Sequence, residues 1–230
     1  MHAMDSSVTG YSTHGLSAPA EHTAPLNTVR ESLGYRWRIV ITTVSLMAGL
    51  VLTALNRPLV FEGNRWNSVL EILGWGIFFV GGGLRLWAST YICARKTREI
   101  VQTGPYSLCR NPLYWGTLLM VGAFPLFLKS PVLAAAMLPP VVLYLFAVVP
   151  AEEAVMARRH GEGYAAYCSE VARWLPNFSR YQRGTPQDGQ HIGFYRECQR
   201  MIWWLGLAGG LHLLFHYASQ SWWWHPLRWW

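Results

Sequence analysis

Charge is what this chain has least of. Asp, Glu, Lys and Arg together make up 13% of its 230 residues, about half the share of an ordinary soluble domain. A soluble fold needs a charged shell, so the scarcity argues against one. Cysteine is also sparse: Cys93, Cys109, Cys168 and Cys198 are widely scattered, with no Cys-x-x-Cys pair. Neither a disulfide framework nor a zinc site is indicated, and no metal is expected. Residues 1–28 contain no apolar run. They are expected to form a disordered cytoplasmic tail, and they lack the basic start and apolar stretch of a signal peptide. No internal repeat is present, which gives inverted-repeat transporter architecture little support.

What the chain does have is apolar and aromatic. Hydrophobic residues make up 52%, and there are 13 tryptophans. Tryptophan suits the bilayer interface, where a flat apolar ring with one N–H donor sits half in lipid and half in water. The net charge of +7 is not gathered into a groove-binding patch. It lies in short stretches between apolar runs, the pattern of cytoplasmic loops and of contacts with anionic lipid. Membrane lipid is therefore the expected partner, and no nucleic acid is expected.

Five apolar runs stand out: Trp37–Leu55, then residues 69–89, 113–128, 132–150 and 201–218. A helix of about 20 residues crosses the roughly 30 Å hydrocarbon layer. Gly74, Gly76 and the triplet Gly81-Gly82-Gly83 in the second run invite close approach by another helix. Arg85 near its end can reach the interface or point inward. Lys129-Ser130-Pro131 is short enough to predict a helical hairpin, and Pro139-Pro140 predicts a kink in its second arm. The terminal Trp222-Trp223-Trp224 and Trp229-Trp230 read as an aromatic belt. With the N-terminus inside, the cytoplasmic segments collect 14 basic residues, Arg30 through Arg200. Only Arg57, Arg65, Lys129 and Arg228 fall outside. The bias fixes the expected orientation and puts the four cysteines at the reducing, cytoplasmic side. The expected fold class is all-α, a polytopic membrane protein of about five transmembrane helices in a bacterial inner membrane. Residues 29–178 form the main domain, and 179–230 a polar linker, an additional helix and the Trp-rich end.

Two cytoplasmic stretches flank the hairpin. The first runs from Arg98 to Tyr114. Gly104-Pro105 forces a turn, and Asn111-Pro112 places a rigid proline at the first turn of the next helix. Free N–H groups at that start, beside Arg110, suit a carboxylate. Tyr106 and Tyr114 can stack on a flat ring or hydrogen-bond its edge; equally, the stretch can be a capped helix start with interfacial tyrosines. The second stretch opens on Glu152-Glu153, an acidic pair at a membrane boundary. It can cap the following helix or bind ribose hydroxyls or a ligand's cationic part. Tyr164 and Tyr167 lie three apart on one helical face. His212 and His216, four apart on the last apolar run, have no facing pair, so they read as hydrogen-bonded histidines rather than ligands.

Gly104-Pro105-Tyr106, Arg110-Asn111-Pro112-Leu113-Tyr114, Glu152-Glu153, Gly161, Tyr164, Tyr167 and Pro176 together resemble the isoprenylcysteine carboxyl methyltransferase and phospholipid methyltransferase superfamily, over residues 74–178. The resemblance implies an integral membrane methyltransferase that uses S-adenosyl-L-methionine in a cytoplasmic cofactor pocket. It implies that Arg98, Glu99, Ile100, Val101, Gly104, Tyr106, Arg110, Asn111, Pro112, Leu113, Tyr114, Glu152 and Glu153 surround that cofactor. Arg110 would hold its carboxylate and Glu152 would be its acidic contact; these two carry the catalytic role. The acceptor would be a lipid-soluble or membrane-bound small molecule: an isoprenylcysteine carboxylate, a phospholipid amine or a thiol. Arg173 would meet an anionic headgroup. Two departures are visible. Asn111 stands where the family usually has His, and 146–149 lacks the arginine that eukaryotic prenylcysteine enzymes carry before the acidic pair. An NADPH-dependent membrane reductase of the sterol-reductase type and a non-catalytic membrane scaffold are the alternative readings.

Overall fold

The computed structural model describes residues 33–60, 62–92, 99–184 and 190–227. The tail expected over residues 1–28 lies outside the described residues, as do Cys93, Arg98 and Trp229-Trp230. The helices are α1 (Leu33–Leu55), α2 (Arg65–Ile92), a single turn α3 (Pro105–Leu108), α4 (Pro112–Leu128), α5 (Pro131–Leu143), α6 (Val149–His160), α7 (Glu162–Glu170) and α8 (Gln190–Ala218). A π-helical turn, Tyr144–Val148, joins α5 to α6 without a break, and Phe178–Arg180 forms a 3-10 turn. Among the described residues there is no strand, only an isolated bridge between Asn56 and Leu227. The protein is an all-α, polytopic helical membrane protein.

Among the described residues, three helices are long and apolar enough to cross a bilayer: Trp37–Leu55, Arg65–Ile92 and the continuous Pro131–His160. The apolar helix Pro112–Leu128 is shorter. At about 1.5 Å per residue its 17 residues extend about 25 Å. The last helix, α8, is 29 residues long but does not reach the same apolar standard. Arg196, Glu197 and Arg200 occupy its first half, and His212 and His216 its second. Five apolar runs thus become three clear spans, one short apolar helix and one amphiphilic helix.

The tightest packing joins α2 to α4 and α1 to α5, with α8 laid against α2 and α4. Glycine makes the first of these possible. A Cβ on Gly81 would lie 2.7 Å from the carbonyl oxygen of Gly116, and one on Gly116 would lie 2.7 Å from that of Gly81. The two backbones touch, as small residues permit in membranes. By contrast Gly76 and Gly83 face open space, so only part of the glycine set serves packing. Phe78, Met120, Phe124, Phe127, Leu133, Leu211 and Phe215 fill the core between the helices. Ile72, Val80, Phe146 and Trp203 point outward as exposed large apolar side chains, a surface suited to lipid.

The hairpin forms as its sequence predicts. Lys129 takes a left-handed conformation (φ 47°) and ends α4, while Ser130 caps α5 by accepting from the Leu133 N–H at 3.2 Å. The Lys129 ammonium is buried. It donates to Glu71 at 3.0 Å and to the Phe127 carbonyl at 3.2 Å, and it lies 3.6 Å from the centre of the Phe215 ring. One cation thereby links α2, α4 and α8. The helix continues through Pro139-Pro140, and regular hydrogen bonding gives way at the π-turn that follows. Glu152 and Glu153 consequently sit inside one long helix rather than at a fresh N-terminus. At the far end, the Trp223 indole N–H donates to the Ala54 carbonyl at 2.9 Å, and the Leu227 N–H donates to that of Leu55 at 3.1 Å.

Two substitutions test this packing. Gly116→Leu should prevent the α2–α4 contact and abolish accumulation of folded protein, whereas Gly76→Leu should be tolerated. Lys129→Met should cost about 3–5 kcal/mol, the scale for removing one partner of a buried pair, read as a lower midpoint in thermal unfolding in detergent.

Candidate functional site

The two polar stretches that flank the hairpin meet, and a single carboxylate joins them. Glu153 on α6 is buried. Its Oε1 accepts from Arg110 Nε at 3.1 Å and from Asn111 Nδ2 at 2.9 Å. Its Oε2 accepts from Arg110 Nη2 at 3.3 Å and from Arg173 Nε at 2.9 Å. Arg110 Nη1 donates further to the carbonyls of Cys168 and Val171, at 3.0 and 2.9 Å. Of the five N–H donors of a guanidinium, four are therefore committed to the protein. The pairing with Glu153 outweighs partial burial and raises the Arg110 pKa above its ordinary value.

Asn111 explains its own presence here. Its amide donates both to Glu153 and, at 3.3 Å, to the Arg173 carbonyl. It needs only N–H donors for this task, which Asn supplies at any pH. Pro112 opens α4 and is fully buried, while the Trp115 indole donates to the Trp174 carbonyl at 2.6 Å. The segment after α7 is thus laced to the start of α4.

A second layer surrounds Tyr106. Gly104 adopts φ 62°, and a Cβ there would strike the Tyr91 ring at 2.4 Å, so the turn requires glycine. Its N–H donates to the Gln182 carbonyl at 2.7 Å, and the Gln182 N–H donates to Ser107 Oγ at 3.0 Å. Residues after the 3-10 turn therefore strap across the Gly104–Ser107 turn. The Tyr106 ring is buried against Ala88 of α2 and Val101, with Leu113 of α4 beside them. Its carbonyl accepts from the Tyr167 hydroxyl at 2.8 Å, whereas its own hydroxyl is buried with no hydrogen-bond partner. Burial pushes the Tyr106 phenol well above its ordinary range, with neighbouring Tyr167 and Cys109 adding to the effect and Arg85 opposing it. Burial does the same to Tyr164 and Tyr167, which pack with Ile100 and Val171 in a separate cluster. These two form part of a small core of their own.

Glu152 is half-buried and belongs to neither network. Its carboxylate lies within electrostatic reach of the Tyr106 and Tyr114 hydroxyls, and the Tyr114 ring stands 6.0 Å from that of Tyr144 in the π-turn. The two adjacent acids thus do different work: Glu153 holds the arginines, and Glu152 faces the tyrosines.

The fold gathers Ile100, Val101, Gly104, Tyr106, Arg110 to Tyr114, Glu152, Glu153 and Arg173 at one end of the bundle. Glu99 lies exposed at the edge of this group, and Arg98 lies outside the described residues. Arg173 is tied to Glu153, its side chain 41% exposed. Sequence reasoning missed one partner altogether. Arg85 turns inward and its Nε donates to Glu197 Oε1 at 2.7 Å, while Nη1 bonds Thr117. Glu197 is 1% exposed and also accepts from Arg200 at 2.9 Å. Glu197 stands between Arg196 and Arg200 in the polar first half of α8, and nothing in that local pattern points to Arg85.

Long apolar helices, with an acid facing two tyrosines beside an arginine–carboxylate lattice at one end of the bundle, define a helical membrane protein. A family model described as phospholipid methyltransferase matches residues 71–163. The cobalt-zinc-cadmium resistance protein CzcN of Cupriavidus metallidurans is 32% identical over 181 residues, covering 75% of this chain and 76% of that protein. The nickel-cobalt-cadmium resistance protein NccN of Alcaligenes xylosoxydans xylosoxydans is 30% identical over 181 residues, covering 75% and 78%. No solved structure matches the chain. The chain belongs to the phospholipid methyltransferase family, within the superfamily that includes the isoprenylcysteine carboxyl methyltransferases.

The division of labour between the acids is testable. Glu153→Ala should lose about 3 kcal/mol of stability, because it strands two arginines, whereas Glu152→Ala should unfold within a degree or two of the wild type. Equal losses would contradict the assignment. The three raised phenols give a pH signature with a defined sign. Below about pH 10 they contribute no pH dependence. Above it the unfolded phenols ionise while Tyr106, Tyr164 and Tyr167 stay protonated, so folding stability should fall by about 1.4 kcal/mol per pH unit for each group. Denaturant unfolding at pH 9 and pH 11 reads this directly.

Proposed function

We propose that this protein is an integral membrane methyltransferase using S-adenosyl-L-methionine, acting on a lipid-soluble or membrane-bound acceptor from a site on the cytoplasmic side. The observation that carries the reading is a buried Tyr106 hydroxyl without a hydrogen-bond partner, within electrostatic reach of the half-buried Glu152 carboxylate. A polar atom in such a position is costly unless a ligand completes it. The residues fit a ligand that is cationic, aromatic and hydroxyl-bearing at once. Glu152 offers a carboxylate to ribose hydroxyls or to positive charge, and Tyr106 offers a hydroxyl. S-adenosyl-L-methionine supplies an electrophilic methyl group on a sulfonium.

The protein's own share of such a transfer is orientation and exclusion of water, which displacement at a methyl group needs more than it needs a strong acid or base. Val101, Gly104 and Leu113 shape the apolar wall behind Tyr106. The strap through Gln182 closes it from the cytoplasm. Arg110 acts as a positioning residue, holding the start of α4 against α6, and Glu152 is the residue in contact with the ligand. The π-turn opposite carries no basic group and turns Phe146 to lipid, 76% exposed. That favours an amine or thiol acceptor over a carboxylate. The distribution of arginine supports the cytoplasmic orientation of the site. Among the described residues no group of three His, Cys, Asp or Glu could hold a metal ion.

Calorimetric titration of the detergent-purified protein with S-adenosylhomocysteine tests the reading. Saturable binding is expected, weakened about tenfold or more in Glu152→Ala, with no binding of NADPH. A folded sample that binds neither S-adenosylhomocysteine nor S-adenosylmethionine contradicts it.

A further inference from the structure

Arg110 was expected to take the cofactor's carboxylate, yet four of its donors are already committed to the protein. Another cation is placed for that task. Arg85 is 9% exposed, and its Nε and Nη1 are held by Glu197 of α8 and Thr117 of α4. Among the described residues no acceptor is paired with its Nη2. Arg85 and Ala88 lie three apart on α2, hence on one face, and Ala88 packs against the Tyr106 ring. On α4 the same relation repeats. Leu113 packs against that cluster, and Thr117, one turn on, bonds both the Leu113 carbonyl at 3.0 Å and Arg85. Arg85 therefore stands one helical turn below Tyr106, whose hydroxyl has no partner.

We propose that Arg85 and Tyr106 form an anion-binding subsite that receives the carboxylate of the cofactor's amino-acid end, with Glu197 of the C-terminal helix setting the guanidinium in place. The inference rests on the methyltransferase reading and adds to it a residue that lies outside the motif-bearing stretches. Its chemistry follows from what is buried there. A guanidinium edge and a phenol hydroxyl are both donors, and a carboxylate oxygen accepts from both. The Tyr106 hydroxyl is within electrostatic reach of Arg85 and of Glu152. The site thus offers a cation for a carboxylate and an acid for an ammonium or sulfonium, the charge order of a zwitterionic amino acid. Arg110 and Arg173 share the Glu153 carboxylate, and Arg110 has four of its five N–H donors committed to the protein, so these two hold the frame instead. Glu197 lies at residue 197, beyond the 71–163 matched by the family model, so a segment outside the matched core completes the site.

The test compares S-adenosylmethionine with its decarboxylated form, which keeps the sulfonium, the amine and the adenosine but lacks the carboxylate. Both are titrated into the full-length protein in detergent. The wild type should bind the decarboxylated form about 10- to 100-fold more weakly. Arg85→Met is paired with Glu197→Gln so that no acid is stranded. That double variant should bind S-adenosylmethionine as weakly as the decarboxylated form while its affinity for the latter is unchanged. Tyr106→Phe, which removes a hydroxyl without a protein partner, should fold normally and lose several-fold for S-adenosylmethionine alone. Equal weakening of both ligands in the double variant means Arg85 only supports the fold and overturns the subsite. So does unchanged affinity for both. Failure of the wild type to bind either ligand removes the methyltransferase reading itself, a separate outcome.

Discussion

The Glu153 carboxylate is the point on which the motif-bearing end of this protein depends. It accepts from Arg110, Asn111 and Arg173, which arrive from the start of α4 and from the segment after α7. A buried carboxylate is expensive unless its lone pairs are filled. Here two cations and an amide fill them, leaving the local charge positive by one. Because the donors come from distant parts of the chain, the cost is recovered only when α4, α6 and the post-α7 segment stand in one arrangement. The carboxylate therefore specifies geometry, and its neighbour Glu152 stays outside that lattice, facing Tyr114.

Elsewhere the same logic recurs in smaller form. In lipid the hydrophobic effect gives little reason for one apolar helix to prefer another, so close backbones and polar pairs do the selecting. The Gly81–Gly116 contact brings α2 and α4 together. Lys129 ties their outer ends to α8 through Glu71 and Phe215, and Glu197 ties the inner half of α8 to Arg85. The C-terminal helix is thereby fixed at two levels.

Much of this was legible in the sequence, because apolar run length and arginine asymmetry are strong signals in a membrane protein. The hairpin at Lys129-Ser130-Pro131, the interruption at Gly161 and the turn at Gly104-Pro105 stand where their residues indicate. Helix continuity was less legible. The apolar run 132–150 and the charged stretch after it join through a π-turn, and nothing in the residue types marks where hydrogen-bond spacing will change. Roles were less legible than places. Arg110 and Glu153 belong to recognisable motifs, but a motif does not say that the two residues bind each other across 43 positions. Local chemistry suggested a carboxylate partner for Arg110, and the protein supplies one of its own. Arg85 presented two orientations, and only the buried Glu197 on a distant helix selects the inward one.

The most direct measurement is transfer of label from methyl-tritiated S-adenosylmethionine into solvent-extractable product, using membranes that contain the wild-type protein or Glu152→Ala at equal abundance. The account predicts label in a membrane-soluble product for the wild type and at least a tenfold loss in the variant, about the effect of one charged contact. Label no greater in the wild type than in Glu152→Ala, from membranes holding folded protein and a mixture of phospholipid, thiol and prenylated acceptors, would contradict it.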